Sequence, residues 1–119
     1  MRPDERDAAY IWDIVDSCRL AVDATRDLDF AAYEANRLVQ AAVERWVEVI
    51  GEAARRLSEE YRLSRPDVPW AKIVAQRNVL AHEYRDIQHE RLWELIQVQL
   101  PRLAAALEPD LPAPPLRID

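Results

Sequence analysis

Apolar residues recur along most of this chain at steps of three and four, the spacing of one face of an α-helix. From Asp4 to about Val22 the stripe is Ile11, Val15, Cys18 and Val22, with Ile14 and Ala21 beside it. Asp4, after Pro3, is placed to cap this helix, and Glu5 and Asp7 put negative charge in its first turn. A second helix, capped by Asp29, runs to about Tyr61, with Leu28 and Tyr33 placed as a hydrophobic staple. It carries two seams about 100° apart: Val43, Val47, Ile50, Ala54, Leu57 and Tyr61, and Ala35, Val39, Ala42, Trp46, Val49 and Ala53. One seam suffices for a monomer core, so the extra width predicts packing against a second subunit as well. Gly51, inside this helix, predicts close helix approach or a mild kink.

Leu63 to Pro69 reads as a loop, with Pro69 as the first residue of a third helix whose apolar face is Trp70, Ile73, Val74, Leu80 and Ala81. A turn near Arg85 to Gln88 leads to a fourth helix striped by Trp93, Ile96, Leu100, Leu103 and Leu107. Pro101 lies within it and predicts a kink or break around Gln97 to Pro101. The expected fold is all-α, a small antiparallel bundle of four main helices over residues 1–108. Residues 109–119, with four of the eight prolines, form a flexible or extended tail.

Composition removes whole classes of chemistry. The single glycine excludes phosphate-cradling glycine loops and disfavours hairpin-rich β folds. One cysteine and two histidines cannot build a closed Cys/His zinc site in one chain, and no other metal or cofactor is called for. Cys18, on the apolar stripe, is expected to be a packing residue. The charged N-terminus lacks the apolar run of a signal peptide, and no stretch approaches the length of a membrane span, so the expectation is a soluble cytoplasmic protein.

The third helix holds residues that a plain bundle does not need. Arg77 falls on its apolar face, where a guanidinium costs several kcal/mol unless paired. Asn78 and His82 are spaced i, i+4, and Tyr84 follows on nearly the same side as Arg77. A permanent cation, an amide, an imidazole and a phenol within one short stretch suit a phosphate site, although a capping or salt-bridge role accounts for the same residues. His89, close to the start of the fourth helix, reads as a solvent or cap residue.

The string Arg77-Asn78-Val79-Leu80-Ala81-His82-Glu83-Tyr84 matches the Arg-x4-His-x-Tyr motif of the HepT-like toxins, a branch of the HEPN superfamily of ribonucleases, which this chain resembles. The likeness extends through IGEAARRLSEEYR at Ile50 to Arg62, VPWAKIVAQRN at Val68 to Asn78 and LWELIQVQLPRL at Leu92 to Leu103. It departs after Tyr84, where relatives often carry a Gly and an Asp and this chain reads Arg85-Asp86-Ile87-Gln88. The resemblance implies a metal-independent endoribonuclease acting on RNA as a homodimer, partnered by an MntA-type nucleotidyltransferase antitoxin that transfers AMP to Tyr84.

In such a reaction His82 is the proton-transfer residue and Arg77 binds the phosphate oxygens. Asn78 orients the imidazole or bonds the substrate, and Tyr84 contacts phosphate or a base. On an unbroken helix Arg77 and His82 stand about 140° apart. Either the helix ends before His82, or the cleft draws on two subunits; the second is favoured. The competing readings are a non-catalytic HEPN-like binding module and a helical dimerisation protein. The net charge of −6 argues against generic nucleic-acid binding, but Ala71 to Arg102 holds five basic and four acidic residues, leaving the negative charge to the rest of the chain.

Overall fold

A computed structural model describes residues 4–82 and 89–112, with backbone placement only for 77–82. All of its regular structure is helical. Asp4 caps α1 (Glu5–Thr25) by accepting from the Asp7 amide at 2.7 Å, and Asp29 caps α2 (Phe30–Ala35) by accepting from the Ala32 amide at 2.8 Å. The chain continues through α3 (Arg37–Arg56), α4 (Glu59–Ser64), α5 (Trp70–His82), α6 (His89–Glu94) and α7 (Leu100–Leu107). Four of these, α1, α3, α5 and α7, are the main helices of the bundle, with α3 packed between α1 and α5, and α1 also against α7.

The second helix expected from Asp29 to Tyr61 is three segments. At Asn36 the backbone turns extended, and the Asn36 side chain caps α3 by accepting from the Val39 amide at 3.1 Å. Gln40 closes the same break, its Nε2 donating to the carbonyls of Tyr33 at 2.9 Å and Glu34 at 2.6 Å. Those carbonyls lie in the last turn of α2; Tyr33 also accepts from the Asn36 amide, and the buried amide of Gln40 serves both. The second break is at Leu57, where Ser58 caps α4 by accepting from the Tyr61 amide. Ser58 in turn donates its N–H at 2.8 Å and its hydroxyl at 2.6 Å to the carboxylate of Asp7, a buried side chain in the first turn of α1.

The first seam of α3 is the core: Val43, Val47, Ile50 and Ala54 are buried, and Leu57 and Tyr61 continue it beyond the break. The second seam is only partly closed. Ala53 is buried and Val39 and Trp46 are half-buried against the core, while Val49 and Ala53 face Tyr10 and Asp13 of α1 across a shallow cleft. Part of the width assigned to a second subunit is thus used inside the chain. Gly51 is buried within an unbroken α3, on the flank opposite Val49, where no side chain holds a neighbouring helix away.

Pro101 has the effect expected of it. Residues Leu95–Gln99 form a π-helical stretch directly before α7, and the Leu100 amide bonds to the Leu95 carbonyl. The wider turn absorbs the missing N–H and the bulk of the proline ring. Past α7 the chain does not leave at once: Glu108–Asp110 forms a 3-10 turn, and Asp110 accepts from Arg65 through both carboxylate oxygens and from the Tyr61 hydroxyl at 2.6 Å. The tail expected from Pro109 therefore begins with a held turn; residues 113–119 lie outside the described residues.

The Arg65 guanidinium, followed by the Tyr61 hydroxyl, holds the Asp110 carboxyl below its ordinary value. A depressed carboxyl stabilises the fold above the unfolded value of about 3.9, and that contribution is lost as pH falls through the lower folded value. Asp110→Asn should cost about 1 kcal/mol at neutral pH, with the gap to wild type closing in acid. Denaturant titrations across a pH series measure this directly.

Candidate active site

The helix that bears the motif is fixed firmly at its start. The Trp70 amide donates to the Val68 carbonyl at 2.9 Å, and the Lys72 and Ile73 amides both donate to the carbonyl of Pro69. The Trp70 indole N–H reaches the carbonyls of Arg62 at 3.2 Å and Arg65 at 3.1 Å, and its ring meets Tyr61 edge-on at 6.2 Å. Ile73 and Val74 then pack against the core, which sets the rotation of α5 about its own axis.

From that anchored start α5 is continuous through Arg77 and Asn78 to His82, its last residue. The helix does not end before His82. Five residues of α-helix place the two backbone positions about 140° apart around the axis and about 7.5 Å apart along it. Asn78 and His82, four residues apart, share one face. Arg77 follows Ile73 by one turn. Tyr84, and with it the turn from Arg85 to Gln88, lies outside the described residues.

Where the chain is described again, at α6, the surroundings differ from expectation. His89 is not simply a solvent or capping residue. It opens α6, but its ring meets the buried Tyr33 edge-on at 6.2 Å, and Trp93 stacks near the same phenol at 5.3 Å. His89 Nδ1 and the Tyr33 hydroxyl are both buried without a hydrogen-bond partner among the described residues. Burial, then the nearby Glu44 carboxylate, pushes the Tyr33 phenol up to about 12. Burial lifts Glu44 above the usual carboxylate range, and His89 offsets part of that. This corner joins α2, α3 and α6, so no single-helix spacing could have indicated it.

A second feature absent from the sequence reading is a groove of about 590 Å³ between α3, the segment before α5, α5 itself and the π-helical stretch with α7. Lys72 and Gln76 line it from α5 and Gln99 and Arg102 from the opposite helix. Among the described residues no three His, Cys, Asp or Glu side chains gather as a metal site, and no helix is long and apolar enough to cross a membrane.

An all-α bundle whose third main helix carries Arg-x4-His is the architecture expected of a HEPN-type ribonuclease. The family model described as ribonuclease HepT-like matches residues 14–109, and this chain belongs to that family. Its similarity to individual proteins covers most of both partners. It is 33% identical over 100 residues to the Methanocaldococcus jannaschii protein named "Putative RNase MJ1380", covering 84% of this chain and 92% of the relative. It is 28% identical to the "Probable ribonuclease HepT" of Thermococcus cleftensis, covering 83% and 90%, and 30% identical to "Putative RNase TTE0752" of Caldanaerobacter subterraneus subsp. tengcongensis, covering 79% and 84%. No solved structure matches the chain.

Cys18 is fully buried in α1, and burial pushes its thiol up to about 12, as a packing residue requires. Cys18 should resist a thiol-specific disulfide reagent at pH 8 in the folded protein and react completely in denaturant. Rapid labelling of the native chain would contradict its place in the core.

Proposed function

We propose that this protein is the toxin of a toxin–antitoxin pair: a metal-independent endoribonuclease of the cytoplasm that works as a homodimer on RNA. The observation that carries the reading is an unbroken α5 with Arg77, Asn78 and His82 in one register, in a chain that belongs to a ribonuclease family. His82 takes the proton of a ribose 2′-hydroxyl, the 2′-oxygen attacks phosphorus, and the bond from phosphorus to the 5′-oxygen breaks. The departing 5′-oxygen leaves with a proton, and the other product ends in a 2′,3′-cyclic phosphate. Arg77 stabilises the charge that builds on the phosphoryl oxygens, its planar fork binding two of them at once. Asn78, on the face shared with His82, orients the imidazole.

The 140° between Arg77 and His82 supports a cleft built from two copies of α5, in which one phosphate meets residues from both subunits. In this account Tyr84 lies beside the phosphate-binding residues and is the target of a nucleotidyltransferase antitoxin. The Tyr84 oxygen attacks the α-phosphorus of ATP, its proton leaves and pyrophosphate departs. The AMP left behind blocks RNA by its charge and its bulk.

Arg77→Ala and His82→Ala should each lower RNA cleavage by at least about 100-fold while leaving the helical circular dichroism unchanged. Mixed dimers of the two variants should regain cleavage if the cleft is shared, and stay inactive if each site lies within one subunit. A folded wild-type chain that binds RNA and yields no cleavage products would replace this reading with a non-catalytic binding module. For the antitoxin, Tyr84→Phe should escape neutralisation on co-expression, and the wild-type chain should gain the mass of AMP. Full neutralisation of Tyr84→Phe with no mass gain on the wild type would end the modification reading.

A further inference from the structure

The groove beside α5 has the chemistry of a nucleotide site, and this inference rests on the ribonuclease reading above. Its floor is apolar, with Val47, Ile50 and Leu103 all buried. Its rim carries polar groups beside the exposed Val98: Lys72 and Gln76 on α5, and Gln99 and Arg102 from the opposite helix. Neither Lys72 nor Arg102 forms an ion pair among the described residues. Two carboxylates, Asp67 and Glu94, also line it, from different elements. At about 590 Å³ the groove is within the usual range of small-ligand sites, roughly 300–1,000 Å³.

Position gives the groove its meaning. Gln76 immediately precedes Arg77, so the groove occupies the stretch of α5 that leads into the motif. Lys72 stands five residues before Arg77, about 7.5 Å along the helix and about 140° around it, so the groove lies on the flank of α5 next to the motif. An unpaired base needs apolar walls for its faces and amide or carboxylate groups for its edge, and its phosphate needs an unpaired cation. This groove supplies all three. A second copy of the chain would also cover the apolar floor, but it would not require two cations without an ion pair among the described residues beside two amides at the rim.

We propose that the groove is a subsite for one unpaired nucleotide next to the phosphate that is cut, its base seated between Gln76 and Gln99 and its phosphate held by Lys72 and Arg102. The subsite selects single-stranded RNA and gives cleavage a base preference on one side of the cut.

The test uses the full chain and short single-stranded RNA oligonucleotides with randomised bases flanking a fixed centre. Gln76→Ala combined with Gln99→Ala should flatten the base distribution at one flanking position. Lys72→Ala combined with Arg102→Ala should raise KM about tenfold with little change in kcat, a loss of binding shared by ground state and transition state. The same pair should also reduce the slope of log affinity against log salt by about 0.7, the share of one phosphate contact to a single strand. Unchanged KM, salt slope and cut-site distribution in variants that still cleave would overturn the subsite and leave the ribonuclease reading standing. Loss of the dimer in sedimentation, with KM following only that loss, would assign the groove to a second copy and equally overturn it. A wild-type chain that cuts no RNA would remove the ribonuclease reading, and the subsite with it.

Discussion

Burial of one stripe of α3 is the constraint on which the rest of the molecule depends. Val43, Val47, Ile50 and Ala54 are withdrawn from water between α1 and α5, and each larger aliphatic side chain in that position stabilises the fold by roughly 1.5–3 kcal/mol. The stripe runs the length of α3 and leaves the flanking helices little freedom of rotation. α5 has an added constraint at its start, where Trp70 is tied to the carbonyls of Arg62 and Arg65. With its rotation set by Ile73 and Val74 and its start pinned, every later register position on α5 is determined, including those of Arg77, Asn78 and His82. Site geometry is in this sense a consequence of core packing two turns away.

Polar side chains do a complementary job at the joints. Asp7 receives two bonds from Ser58, Gln40 bonds the two carbonyls that end α2, and Asp110 gathers Arg65 and Tyr61. Each joins segments that apolar burial alone would leave free to swing, because hydrophobic contact is not directional while these bonds are. The joint at Asp110 has a further effect. It holds the end of α7 against α4, next to the start of α5, and so keeps the two walls of the groove in a fixed relation.

The helical class, the caps at Asp4 and Asp29, the core stripe and the disturbance before Pro101 were all legible in the sequence, because each depends on local spacing or on one residue's covalent geometry. The segmentation of the long second helix was not. The apolar spacing runs unbroken through Leu57 to Tyr61, and the breaks at Asn36 and Ser58 are decided by partners outside it, Gln40 in one case and Asp7 in the other. The role of the second seam was not legible for a similar reason: part of its width is turned toward α1, a neighbour that spacing within α3 does not reveal. Of the candidate site, Arg77, Asn78 and His82 were readable because they lie within one thirteen-residue helix. The groove and the Tyr33, His89 and Glu44 corner were not, since each is assembled from several elements that no pattern along the chain connects.

The central claim is that α5 carries the machinery for cutting RNA without a metal ion. The most direct measurement is the chemistry of the new RNA ends after incubation with purified wild-type protein in excess chelator. Cleavage that persists under chelation and leaves 2′,3′-cyclic phosphate ends is the predicted result, since only internal attack by the 2′-hydroxyl produces them. Cleavage that requires a divalent cation and leaves 3′-hydroxyl and 5′-phosphate ends would contradict the account.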